Sequence, residues 1–222
     1  MIELHHISLN YGQQQVLSDL NLAIPNDGKT IGIIGPNGAG KTTLINNILK
    51  RINTFKGQRQ VPDAIAYLPD QPFLPGHIRL KAAIDLFIAA YPDFNYQLAL
   101  SLLKTQHLNL QQRIHTLSRG MQQQAELALT LARQVPYYLF DEPLGAIDPR
   151  HRQNTYQMIQ TARRSHSTVL IVTHLLKDLA PLFDEIWLLT NGRVAQQISR
   201  TQLQQNFNGD IEQYYQEMTT HA

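Results

Sequence analysis

The sequence has no cysteine and a single tryptophan. Without cysteine there are no disulfides and no thiolate chemistry, which leaves the compartment open. Charge is also thin. Asp, Glu, Lys and Arg make up 16% of 222 residues, and 19 basic against 17 acidic side chains give a formal net charge of +2. That near-balance argues against a nucleic-acid partner, which calls for a dense basic face. Long apolar runs are missing too, and none approaches the roughly 20 residues that span a bilayer. The opening "MIELHHISLNYG" has neither the basic start nor the apolar core of a secretory signal. These absences predict a cytoplasmic chain. If it works at a membrane, another subunit supplies the spans.

An apolar fraction of 43% is ordinary for a globular protein and gives a substantial core. Short β-rich runs alternate with amphipathic stretches, which predicts an α/β fold with a largely parallel sheet. "TIGIIG" ending at Gly35, "AIAYLP" ending at Pro69, "YYLFDEP" from Tyr137 and "STVLIVTH" ending at His174 read as buried strands. "KTTLINNILK" from Lys41 has helical spacing, and "EIWLLTNGRVAQQI" is a hairpin around Asn191-Gly192, a dipeptide suited to a type I′ turn. Between Pro69 and Leu117 two helical patterns follow each other with no strand, as an insertion into the α/β body would. Two QQQ runs, starting at Gln13 and Gln122, lie inside patterned segments and are not low-complexity sequence.

Chemistry enters with "GPNGAGKTT": Gly35, Pro36, Asn37, Gly38, Ala39, Gly40, Lys41, Thr42 and Thr43. It fits G-x-x-x-x-G-K-[ST] between a strand and a helix. Glycines let successive N–H groups face phosphate oxygens, and the helix adds its positive dipole end. Lys41 then reaches the β- and γ-phosphates and the Thr42 hydroxyl is a ligand for Mg²⁺, so the loop predicts binding of a nucleoside triphosphate. Asp141 and Glu142 end a buried strand, where an open parallel sheet exposes its ligand crevice. Asp141 suits Mg²⁺, and Glu142 suits polarising the water that attacks the γ-phosphorus. His174 ends the next strand and reaches the same crevice, to donate to the γ-phosphate or to orient Glu142. His5, His6, His77, His107, His115, His151, His166 and His221 have no such placement and read as surface or packing.

In this order the motifs resemble the nucleotide-binding subunit of ABC transporters, over essentially the whole chain. The resemblance implies a P-loop NTPase core, a small antiparallel β-subdomain and an inserted helical subdomain. It gives one domain over 1–222, with 1–69 and 135–222 as core and 70–134 as the helical part. Tyr11 stands where the family stacks an aromatic ring on adenine. "LFDEP" matches Walker B, "LGAID" from Leu144 the D-loop, His174 the switch histidine, and "LSRGMQ" from Leu117 the signature motif. Two such subunits pack head to tail in the family. Each signature motif, with Ser118 and Gly120 here, then covers the ATP held by the other subunit. Hydrolysis drives a transmembrane permease, which the helical insertion touches. The partners implied are therefore a permease and a second ATPase subunit, homologous or identical, and not nucleic acid.

Tyr67–Asn95 and the tail Asp210–Met218 resemble antibiotic and multidrug exporter ATPases, particularly a branch encoded beside GntR-type regulators. Three departures stand out. Asp70 occupies the place of the family's Q-loop glutamine and Gln71 follows it, so either side chain is a candidate to face Mg²⁺. Arg51–Ile65 is short for the usual antiparallel hairpin. In the signature motif Arg119 replaces a glycine and Met121 a glutamine, and Arg119 is expected to bring positive charge to the shared nucleotide. A soluble or regulatory ABC ATPase is the competing class. The repair type needs a long coiled coil and the ribosomal type two cassettes, and intact Glu142 and His174 argue for turnover over sensing. No N-K-x-D stretch supports a GTPase.

Overall fold

The structure, a computed structural model, describes residues 1–163 and 165–220. His221, assigned to the surface or ordinary packing from sequence, lies outside the described residues. The chain opens with β1 (Ile2–Tyr11), β2 (Gln14–Ile24) and β3 (Thr30–Ile34), followed by α1 (Lys41–Ile48), β4 (Lys56–Gln60) and β5 (Ile65–Leu68). Helices α2 (Leu80–Ala90), α3 (Tyr96–Thr105) and α4 (Arg119–Leu131) come next with no strand between them. The remainder runs β6 (Tyr137–Asp141), α5 (Pro149–Ala162), β7 (Thr168–Val172), the short α6 (Leu176–Leu179), β8 (Glu185–Thr190), β9 (Arg193–Ser199), α7 (Arg200–Phe207) and α8 (Ile211–Thr220).

A six-stranded sheet has the order β5-β6-β7-β3-β8-β9, parallel except for β9. Its central strands β3, β6 and β7 are buried at every residue, which is why they read as continuous apolar runs rather than alternating ones. Period-two geometry sends their side chains to two different cores. Leu139, Leu170 and Trp187 join β1, β2 and α1 on one face. Tyr138, Phe140, Ile171 and Ile186 join the helices on the other. Truncating a side chain such as the fully buried Phe140 costs about 3–5 kcal/mol.

The second sheet is three-stranded and antiparallel, in the order β2-β1-β4. Residues 51–65 contribute the single strand β4 to it rather than a hairpin, matching the short sequence there. Between β8 and β9 the two turn residues Asn191 and Gly192 have φ of 48° and 71°, the paired positive values of a type I′ turn. The parallel register pairs Asp141 with Val172 and Ile33 with Val172. The ends of β3, β6 and β7 therefore deliver three chemistry-bearing segments to one edge.

Candidate nucleotide site

Past Ile34 the chain turns through residues 35–40 before α1 begins at Lys41. Two glycines make this path possible. At Gly35 a Cβ would lie 2.1 Å from the Leu189 carbonyl oxygen of β8. Gly40, the N-cap of α1, has φ 101°, and a Cβ there would lie 2.8 Å from the Val16 carbonyl oxygen. The loop rests on the terminal hairpin, since Gly192 N–H donates to the Ala39 carbonyl at 3.2 Å and Ser18 N–H to the Gly192 carbonyl at 3.1 Å. Lys41 Nζ donates to the Gly35 and Pro36 carbonyls at 2.7 and 2.9 Å. Burial lowers its pKa, and the Glu142 and Asp141 carboxylates oppose that shift.

The loop forms one wall of a crevice of about 440 Å³, lined by Tyr11, Asn37, Gly38, Gly40, Lys41, Thr42, Thr43, Asp70, Asp141 and Glu142 among others. Gly35, Pro36 and Ala39 shape the loop without lining the crevice. Tyr11 stands at the rim, 55% exposed. Asp70 lines the crevice and Gln71 does not; Gln71 Nε2 instead donates to Asp70 Oδ2 at 2.9 Å. Asp141 is pushed up to about 6, first by burial, then by the neighbouring charges of Glu142 and Asp70, with Lys41 opposing.

Glu142 is held in a left-handed backbone conformation, φ 51°, which costs a non-glycine residue of order 1–3 kcal/mol. Its surroundings fix it from every side. Its N–H donates to Val172 O at 2.9 Å, and its own carbonyl accepts from Gly145 N–H at 3.0 Å and from Gln123 Nε2 at 2.7 Å. The carboxylate is held as well. Oε1 takes the His174 backbone N–H and lies 2.8 Å from His174 Nδ1, while Oε2 accepts from Thr173 Oγ1 at 2.9 Å. Of the two sequence-stated roles for His174, orienting Glu142 is the one this geometry displays.

A family model described as ABC transporter matches residues 17–145. The chain belongs to this family. It is 32% identical over 199 residues to the aliphatic sulfonates import ATP-binding protein SsuB 1 of Pseudomonas fluorescens, covering 89% of this chain and 76% of that one. It is 30% identical over 226 residues to the manganese transport system ATP-binding protein MntB of Bacillus subtilis, covering 87% and 85%. Among solved structures, an ATP-binding subunit of an ABC transporter superposes with a TM-score of 0.85 at 24% identity over 99% of each chain. A dimeric bacterial ABC transporter cassette does so with a TM-score of 0.74 at 25% identity, over 90% of this chain and 98% of its own. The protein is an ABC ATPase with the P-loop NTPase fold.

The signature segment of this ABC ATPase does not join the crevice. Ser118 caps α4, its Oγ accepting from Met121 N–H at 3.2 Å, and Arg119 and Gly120 form the first helical turn. Ser118 and Gly120 line a separate cavity of about 610 Å³ with Ala146, Asp148 and His151. Arg119 lines the same cavity, and its Nη2 donates to the Asp70 carbonyl of its own chain at 2.9 Å.

Sequence reasoning missed Thr173 and Gln123. Gln123 is 5% exposed, and besides holding the Glu142 carbonyl it accepts from Ala146 N–H at 2.9 Å. The available signal was a polar residue on the buried face of an amphipathic helix, four before the buried Leu127. The seven described histidines assigned to the surface or packing are all exposed.

Proposed function

We propose that this ABC ATPase hydrolyses ATP as half of a head-to-tail pair and thereby drives a separate membrane permease. The observation that carries the reading is the Glu142 carboxylate, aimed by His174 and Thr173 beside a P-loop crevice. Tyr11 stacks on the adenine, and Lys41 with the N–H groups of residues 37–43 holds the phosphates. Glu142 takes a proton from the attacking water, and His174 keeps that carboxylate on line. Mg²⁺ fits the hard oxygen donors present, with Thr42 and Asp141 holding it and Asp70, rather than Gln71, facing it. Asp141 is pushed up to about 6 first by burial and then by the Glu142 and Asp70 charges, and a bound cation would offset the latter. When bound, the ion offsets charge on the transferring phosphoryl group.

Ser118 and Gly120 line a different cavity from Lys41 and Glu142. They meet nucleotide only when a second subunit presents its own, which supports the paired arrangement. The helical part, 70–134, bears the permease contact, and α2 there exposes Leu86 and Ile88 at 53% and 47%. Among the described residues no helix is long and apolar enough to cross a membrane, so the subunit sits on the cytoplasmic face through its permease. The exporter class follows from the likeness of Tyr67–Asn95 and Asp210–Met218 to drug-exporter ATPases. The relatives named for sulfonate and manganese transport share the cassette itself, so cargo and direction belong to the permease.

Glu142→Gln tests the reading. The variant binds ATP, stops turning it over and accumulates as an ATP-bound dimer in size-exclusion chromatography. Normal turnover in that variant removes Glu142 from the chemistry.

A further inference from the structure

Besides Gln123, α4 buries a carboxylate. Glu126 is 2% exposed, and its Oε1 accepts two consecutive backbone N–H groups, from Phe73 at 2.9 Å and Leu74 at 3.0 Å. A carboxylate at that depth is costly unless hydrogen bonds compensate it. Burial does raise its pKa, and the Phe73 and Leu74 N–H groups together with the Arg119 charge oppose the rise. Its two partners lie in an irregular stretch, between the end of β5 at Leu68 and the start of α2 at Leu80, where no strand ladder satisfies backbone N–H groups.

The same stretch is tied to α4 at its other end, where Arg119 donates to the Asp70 carbonyl. Arg119, Gln123 and Glu126 follow the i, i+4, i+7 spacing of one helical face. Residues 70–74 are thus clamped at both ends to the helix that Ser118 caps and whose first turn holds Gly120, and between the two clamps Gln123 grips the Glu142 carbonyl.

We propose that Glu126 is a positioning residue for ATP hydrolysis: by fixing residues 73–74 to α4 it sets Asp70 in the nucleotide crevice. Asp70 then follows any movement of the helix that meets the second subunit's nucleotide, and the two nucleotide sites of a pair share one mechanical element. This rests on the reading of Asp70 as facing Mg²⁺.

The test uses the full chain in the Glu142→Gln background with ATP, and Mn²⁺ as a paramagnetic stand-in for Mg²⁺, its free-ion signal read by electron paramagnetic resonance. Glu126→Leu keeps the volume and removes the acceptor; it weakens Mn²⁺ binding about tenfold, as loss of an outer-shell partner does. Glu126→Gln keeps an acceptor oxygen and restores binding to within about twofold. Asp70→Ala weakens binding similarly, and Glu126→Leu combined with Asp70→Ala weakens it no further. Additive losses overturn the proposal, because Glu126 then acts independently of Asp70. No effect of Asp70→Ala identifies the failure as that of the Asp70 reading, and the proposal falls with it. Hydrogen exchange on the unsubstituted protein needs no variant to fold. Protected amides at Phe73 and Leu74 support the clamp, and exchange at the rate of an open loop excludes it.

Discussion

One oxygen of Glu142, Oε1, lies 2.8 Å from both the backbone nitrogen and the ring Nδ1 of His174. The backbone contact survives any change of side chain, so substitution at His174 isolates the imidazole. His174→Ala lowers kcat by about 10²-fold or more, with kcat/KM falling in parallel. Thr173→Val removes the Oε2 partner and costs about tenfold. Steady-state kinetics decide this, and a loss confined to KM would assign His174 to binding.

Gln123 satisfies a carbonyl at Glu142 and an N–H at Ala146 from inside the core. Gln123→Leu strands the Ala146 N–H and leaves the Glu142 carbonyl with the Gly145 N–H alone, destabilising the fold by about 1–3 kcal/mol. It also loosens the left-handed Glu142, so kcat falls while ATP affinity stays near that of the parent. Urea denaturation and nucleotide titration separate the two effects. Unchanged stability would mean that the two backbone groups find other partners.

The shift of Asp141 from 3.8 to about 6 has a sign that can be checked. A carboxylate whose pKa is raised by folding binds its proton more tightly in the folded chain. Stability of nucleotide-free protein therefore falls as pH rises from about 4 through about 6, and this contribution is flat above. The total is roughly 1–3 kcal/mol. Asp141→Asn removes the slope. Denaturant midpoints across that window, taken with EDTA present, measure it, and an identical slope in the variant would place its source elsewhere.

Two glycines of the P-loop answer differently to one added methyl group. At Gly35 the Cβ would lie 2.1 Å from Leu189 O, whereas at Gly38 nothing lies within 4 Å and only φ 81° resists it. Gly35→Ala forces β3 and β8 apart, costs more than about 3 kcal/mol and abolishes ATP binding. Gly38→Ala costs about 1–2 kcal/mol in backbone strain and leaves a folded protein. Thermal melts of the pair settle the comparison, and equal shifts would refute the packing account.

Tyr11 is 55% exposed at the rim of the crevice, so its proposed role in adenine stacking can be tested with little cost to the fold. Tyr11→Ala weakens ATP binding by about tenfold, and Tyr11→Trp keeps a stacking face and most of the affinity. Calorimetric titration reads this directly. An alanine variant with parental affinity would leave the adenine without a stacking partner at this position.

Residues 35–43 were legible because a phosphate loop is contiguous, so one short string carries the whole constraint. The strands around it were legible for a similar reason, since burial on both faces leaves an unbroken apolar run. The choice between Asp70 and Gln71 was not legible. It depends on which side chain the exit from β5 turns into the crevice, and a one-residue offset reverses the answer. Thr173, Gln123 and Glu126 escaped for another reason. Each acts on a partner 19 to 53 residues away, and helical periodicity places Gln123 on a buried face without naming the group it holds. Arg119 adds a contact of the same kind, since its donor reaches the Asp70 carbonyl 49 residues away in its own chain.

The chain's lone tryptophan sits on the strand that braces the nucleotide loop. Trp187 pairs with Ile33 in β3, is 3% exposed, and donates to Glu185 Oε2 at 3.2 Å. Two residues further on, Leu189 offers the carbonyl that only glycine at position 35 can approach. All indole emission from this protein thus originates one strand away from the phosphate loop, in the core cluster that also holds Leu44 and Ile45 of the helix that follows it. Nucleotide binding in the loop is therefore expected to change the colour or intensity of that emission, which a fluorescence titration of the unlabelled subunit measures without a dye.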